Sequence, residues 1–206
     1  MERVELEKII QKVVQDQLSL IPIEASGRHI HLSQEHIEAL FGQGYELKNK
    51  RELSQPGQYQ CEERVRLIGP KGVINNVTIL GPKRSATQLE VSLTDALVLG
   101  IKPPINESGD LQGACDIYIS HKEKMIKLTQ GVIVAKRHIH MTPEDAQRMG
   151  VEDKQIVSVK VHSKRPIVFQ DVTVRVSPSF RLNMHIDYDE ANACAYEKGV
   201  FGSINV

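Results

Sequence analysis

The tetrapeptide Arg28-His29-Ile30-His31 returns as Arg137-His138-Ile139-His140, and this duplication decides how the chain is read. Each copy follows a short apolar run and leads into a helix-start signal: Leu32-Ser33-Gln34-Glu35 in the first, Met141-Thr142-Pro143-Glu144 in the second. In an extended segment alternate side chains share a face. Both histidines of a copy therefore point one way and the isoleucine between them the other. Four of the eight histidines are placed by this motif. A strand that presents two imidazoles, made twice, predicts a duplicated fold that brings two histidine pairs into one metal site.

Working outward, 24–32 and 131–140 read as the strands that carry the motifs, and 35–42 and 143–149 as the helices after them. The stretches 63–68 and 73–80 alternate apolar and polar and are joined by Gly69-Pro70-Lys71-Gly72, a hairpin signal. Further strands are expected at 88–93, 114–121, 156–162, 168–176 and 181–186, with a polar connector at 106–113, a turn at Ser177-Pro178 and a last helix from about Asp189. Many short strands with only short helices predict a mainly β (α+β) fold: two small pseudo-symmetric β-barrels capped by short helices. The expected domains are a discontinuous barrel from 1–46 plus 130–206 and a second barrel from 47–129. Residues 2–18 put Ile9, Ile10, Val13, Val14 and Leu18 on one stripe, an amphipathic helix that caps the core or, alternatively, docks to a larger assembly.

A formal net charge of zero over 206 residues gives no basic excess for non-specific nucleic-acid binding. The three cysteines, Cys61, Cys115 and Cys194, are odd in number and show no Cys-x-x-Cys spacing, which suits reduced thiols in the cytoplasm. No apolar run approaches transmembrane length, so no membrane partner is expected. Glu2, Glu5 and Glu7 stand where a signal peptide would be basic. No Walker loop and no Gly-x-Gly-x-x-Gly opens a helix, which disfavours nucleotide hydrolysis and dinucleotide chemistry.

A His-x-His pair on a strand presents two nitrogen ligands to a transition metal. Two candidates stand out as further ligands. His185 ends the last strand before a helix, a junction like those of the other histidines. Glu90 sits mid-strand with Gln88 and Ser92 on one face, an unusual place for a carboxylate unless that face meets a charge. An exposed sheet edge for Glu90 and a surface position for His185 are the alternatives. His36, His121 and His162 lack a paired neighbour and read as structural or surface residues. The His-x-His-x₃-Glu spacing to Glu35 and Glu144 imitates a cupin metal site. However, Ser33, and Thr142 followed by Pro143, read as N-caps that put each glutamate in a first helical turn. The loop Gly81-Pro82-Lys83-Arg84-Ser85-Ala86-Thr87 carries two cations and two hydroxyls, and Arg84 offers a fork for a phosphate; a solvated basic turn is the alternative. Glu107-Ser108-Gly109 is a second polar loop with a hydroxyl.

The paired Arg-His-Ile-His motifs, the run from Gly81 to Glu90, and Met184-His185-Ile186-Asp187-Tyr188-Asp189-Glu190-Ala191-Asn192-Ala193 resemble the propanediol-utilisation type of phosphate propanoyltransferase. The resemblance runs from about Ile23 to the C-terminus. It implies a metal-dependent acyltransferase that interconverts propanoyl-CoA or acetyl-CoA plus phosphate with acyl phosphate plus CoA, at a di-metal site, usually zinc, between two barrels. Two divalent ions are the implied cofactors and coenzyme A is a substrate. On the matching positions, His29, His31 and Glu90 would hold one metal and His138, His140 and His185 the other. Arg84 would bind phosphate with Ser108 as helper, and coenzyme A would lie near Ser26, His185 and Asn192.

On this reading phosphate attacks the thioester directly, without an acyl-enzyme on any cysteine. The competing classes are a binuclear hydrolase of a thioester or phosphoester, and a structural metal protein whose N-terminal helix docks to a partner. A cytoplasmic location is expected, with the lumen of a bacterial microcompartment as the alternative. A homo-oligomer and a microcompartment shell stay open as partners.

Overall fold

The two His-x-His strands hold equivalent places in two closed six-stranded barrels in the computed structural model, which describes residues 19–205. In chain order the elements are β1 (Ile21–Ala25), β2 (His29–His31), α1 (Gln34–Phe41), β3 (Asn49–Glu52), β4 (Tyr59–Ile68), β5 (Val73–Gly81), β6 (Gln88–Glu90), α2 (Leu93–Leu99), β7 (Ile105–Asn106), β8 (Cys115–His121), β9 (Lys124–Ala135), β10 (His138–Met141), α3 (Pro143–Met149), β11 (Ile156–His162), β12 (Ile167–Val176), β13 (Asn183–Ile186), α4 (Tyr188–Ala193) and β14 (Phe201–Asn205). The helix expected over 2–18 lies outside the described residues.

The barrels share one topology. In the first, β2 runs parallel to β5 and antiparallel to β6, β6 runs parallel to β9, and β8 closes the ring antiparallel to both β9 and β4. In the second, β10 runs parallel to β12 and antiparallel to β13, β13 runs parallel to β1, and β14 closes antiparallel to β1 and β11. Closure leaves no free edge in either ring. The short strands β3 and β7 are attached outside, on β4 and β9.

The chain is interleaved. β1, which leads into β2, belongs to the barrel of β10, whereas β9, which leads into β10, belongs to the barrel of β2. The continuous strands expected at 24–32 and 131–140 are therefore each two strands, interrupted at 26–28 and 136–137. Among the described residues, one compact unit takes those up to Ala25, Arg137–Ile186 and those from Ala191; the other takes Ser26–Lys136 and Asp187–Glu190. These divisions differ from the expected 46/47 and 129/130, because β2 is hydrogen-bonded between β5 and β6, and β9 stays paired as far as Ile133 with β6 and Ala135 with β7.

Each barrel has its own apolar core. Ile30, Leu67, Ile79, Leu89, Ile119 and Val132 fill one, and Ile23, Ile139, Val159, Val172, Val174 and Met184 the other. Ile30 and Ile139 are fully buried in these cores. By strand alternation the flanking histidines must project from the opposite face of the wall.

Local signals explain the helices. Ser33 caps α1 by accepting from the His36 amide, and Thr142 caps α3 in a reciprocal box with Asp145, with Pro143 at its start. Glu35 and Glu144 are exposed in first helical turns, as expected from the capping signals, and take no part in a cupin-like cluster. The expected strand over 88–93 stops at Glu90. Ser92 and Asp95 form a second capping box that starts α2, and Gly100 ends that helix at φ 76°. Gln88, Leu89 and Glu90 are all buried, so the polar face read from Gln88, Glu90 and Ser92 is not a solvent face.

Candidate active site

The β2 to β6 register sets His29 opposite Glu90 and His31 opposite Gln88. The β10 to β13 register repeats it, with His138 opposite His185 and His140 opposite Asn183. Glu90 and His185, the two residues singled out as further ligands, thus hold the same topological position in their own barrels.

In the first cluster the ligand atoms of His29, His31 and Glu90 all lie within 4.8 Å of one another, and the three residues are buried. His29 Nδ1 is 2.8 Å from the Gly27 carbonyl oxygen. A carbonyl can only accept, so Nδ1 carries a proton and Nε2 is the nitrogen turned inward. That Nε2 stands 3.4 Å from Glu90 Oε2. Two acceptors at this distance repel unless a cation or a proton stands with them. Beside them, His31 Nδ1 is buried with no hydrogen-bond partner. Burial, then His29 and the Arg84 charge, lower the His31 pKa to about 2, so its ring stays neutral and its lone pair available. Two imidazoles with one carboxylate, one of the imidazole nitrogens buried and orphaned, fit a divalent cation.

The second cluster is built of three imidazoles. The rings of His138 and His140 are 4.6 Å apart between centroids, those of His138 and His185 are stacked at 5.3 Å, and those of His140 and His185 are 5.1 Å apart. His140 Nδ1 is buried without a hydrogen bond. Burial, His138, His185 and Arg175 lower its pKa to about 2. The Nε2 of His185 lies 3.9 Å from Glu24 Oε2, which its register on β1 sets beside it. Three imidazoles and a nearby carboxylate also suit a divalent ion.

The loop between β5 and β6 is pinned against α1. The Arg84 amide donates to the Leu32 carbonyl, and Thr87 Oγ1 accepts from the Ser33 amide at 2.9 Å. His36 Nδ1 meets the same hydroxyl at 2.7 Å, which ties this histidine to the loop. Arg84 Nη1 reaches Ser108 Oγ at 3.4 Å, which brings the two polar loops together. Gln88, which sequence reasoning missed, joins this loop to Glu90; the signal was its place two residues before the carboxylate on the same strand face.

The remaining positions are simpler. Ser26 is half-buried in the unit of the first cluster, and Asn192 is exposed in the other. His121 and His162 are held by the Arg64 carbonyl and Ser203 Oγ, both at 2.9 Å. The arginines of the two repeats serve structure. Arg28 pairs with the capping residue Asp95 at 2.8 Å, and Arg137 donates to the Gln170 carbonyl at 2.7 Å. Among the described residues no helix is long and apolar enough to cross a membrane.

Residues 22–197 match the family model for phosphate propanoyltransferase. The phosphate propanoyltransferase of Sebaldella termitidis is 53% identical over 208 residues, covering 99% of each chain. That of Clostridioides difficile is 54% identical over 97% of this chain and 94% of its own. That of Thermotoga maritima is 51% identical over 87% of this chain and 86% of its own. With a family model matching most of the chain and full-length relatives at this identity, the chain belongs to the phosphate propanoyltransferase family.

Proposed function

We propose that this acyltransferase transfers a propanoyl or acetyl group between coenzyme A and phosphate, and that it does so with metal ions held by its two histidine clusters. The observation that carries the reading is the inward-facing His29 Nε2 opposed to Glu90 Oε2, with the orphaned His31 nitrogen beside them. His29, His31 and Glu90 would hold one divalent ion, with zinc the first choice for such donors, and His138, His140 and His185 a second. A bound ion supplies a fixed positive charge that lowers the pKa of a thiol and offsets the charge of an approaching anion.

Arg84 holds phosphate through its guanidinium, and Ser108 offers a hydroxyl beside it. A phosphate oxygen attacks the thioester carbonyl, the carbon–sulfur bond breaks, and acyl phosphate and the coenzyme A thiol are the products. Ser26, His185 and Asn192 are the positions proposed to meet the coenzyme. No cysteine takes part. Cys61 and Cys194 are fully buried, and burial with the nearby Glu63 pushes the Cys61 thiol up to about 12, far from a reactive thiolate.

We place the enzyme in the cytoplasm or in a bacterial microcompartment. Thiol release from propanoyl-CoA and acetyl-CoA, with and without phosphate, tests the reaction. Release that needs phosphate and yields acyl phosphate supports transfer; equal release without phosphate means a hydrolase.

A further inference from the structure

Gln88 is 2% exposed, and all three of its polar contacts belong to groups of the proposed site. The Gly109 amide donates to Gln88 Oε1 at 2.7 Å. A backbone N–H can only donate, so the oxygen end of the side chain is fixed on the loop and the NH₂ end must face the other way. That NH₂ has two hydrogens. It donates to Glu90 Oε1 at 2.7 Å and to Ser108 Oγ at 2.9 Å. The amide is thus spent on three partners, with no freedom to flip.

The consequence falls on Glu90. An ionised carboxylate has two equivalent oxygens, either of which can serve as a ligand. The bond from Gln88 engages Oε1 and leaves Oε2 as the oxygen 3.4 Å from His29 Nε2. The same side chain holds Ser108, whose hydroxyl also receives Arg84. In the other barrel the position opposite His140 is Asn183, one methylene shorter, and the residue opposite His138 is His185, which has no second oxygen to restrain.

We infer that Gln88 is a positioning residue that selects Glu90 Oε2 for the metal and ties the metal centre to the phosphate loop through Ser108 and Gly109. This rests on the proposed function above, since it assigns Gln88 a task only if Glu90 ligates and Arg84 and Ser108 meet phosphate. Residues that orient metal ligands typically change metal affinity by about 10- to 100-fold when removed.

The test uses the full-length chain with zinc as the probe. Gln88→Met keeps the length of the side chain and removes every hydrogen bond. It is expected to weaken zinc binding about 10- to 100-fold by chelator competition and to raise the KM for phosphate while leaving that for propanoyl-CoA in place. Ser108→Ala is expected to raise the phosphate KM alone, with zinc affinity unchanged. Hydrogen exchange on the unmutated protein gives a readout that does not depend on the variants folding: zinc loading should slow exchange of the Gly109 amide. Wild-type zinc affinity and phosphate KM in Gln88→Met, or a Gly109 amide indifferent to zinc, overturns the inference. A wild-type protein that binds no zinc removes the functional reading and this inference together, and is recognised before any variant is made.

Discussion

His29 Nε2 faces Glu90 Oε2 at 3.4 Å while its Nδ1 is committed to the Gly27 carbonyl at 2.8 Å. The pair presents a nitrogen and a carboxylate oxygen at a distance that suits a shared cation. Glu90→Gln keeps the shape, lets the amide oxygen accept from Gln88 and turns an NH₂ toward the histidine lone pair. We expect the metal-free variant to be at least as stable as metal-free wild type. The part of its stabilisation by added zinc that comes from this cluster, about 2.7 kcal/mol at a hundredfold excess over Kd for one intact site, should be lost, leaving only the part due to the second cluster. Thermal melts with and without zinc measure both quantities, and a variant that keeps the full zinc-dependent gain shows that Glu90 is not a ligand.

The depressed histidines set the acid limit of the metal-free protein. The pKa values of His31 and His140 are lowered to about 2, against an ordinary value of 6.5. Below pH 6.5 the unfolded chain binds protons at these two sites and the folded chain does not, so stability is full above that value and falls as pH falls. The loss is about 2 kcal/mol per histidine at pH 5. Urea unfolding at pH 8 and pH 5 checks this, with His140→Phe expected to remove part of the slope. An unchanged stability between the two pH values contradicts it.

Arg84 is assigned to phosphate because it stands at the head of the loop that meets Ser108. Arg84→Ala should raise the KM for phosphate by roughly tenfold or more, the cost of one charge-assisted hydrogen bond. The KM for propanoyl-CoA should change far less. Arg84→Lys should recover only part of the loss, because an ammonium restores the charge but not the planar fork. Initial-rate measurements with each substrate varied in turn separate these outcomes; equal damage to both KM values argues against a phosphate role.

Direct transfer predicts that no thiol is needed. Cys61→Ala, Cys115→Ala and Cys194→Ala should each retain acyl exchange once metal content is matched. Loss of exchange in any one of them, with metal intact, points to an acyl-enzyme instead.

Much of this arrangement was legible in the sequence, and for identifiable reasons. The duplicated motif gave the two barrels because a strand that must bury Ile30 or Ile139 has to send its histidines to the other face. The hairpin at 69–72 and the caps at Ser33 and Thr142 also stand as expected. The exchange of closing strands was not legible, since β1–β2 and β9–β10 each read as one apolar stretch and periodicity does not say which neighbour a strand pairs with. β3, Asn49–Glu52, is exposed throughout and has no apolar alternation to find. α2 was hidden by the alternation that runs from Gln88 into Ser92, although Ser92-x-x-Asp95 ahead of an apolar run was a capping-box signal. At the site, residue types marked Glu90 and His185, but their equivalence appears only in the strand register.

The central claim is that metal held by the histidine clusters is required for acyl transfer to phosphate. The most direct measurement strips the protein with a chelator, confirms by circular dichroism that it stays folded, and follows phosphate-dependent thiol release from propanoyl-CoA as zinc is returned. The expected result is loss of activity on stripping and recovery in proportion to zinc bound. Full activity in folded, metal-free protein would contradict it.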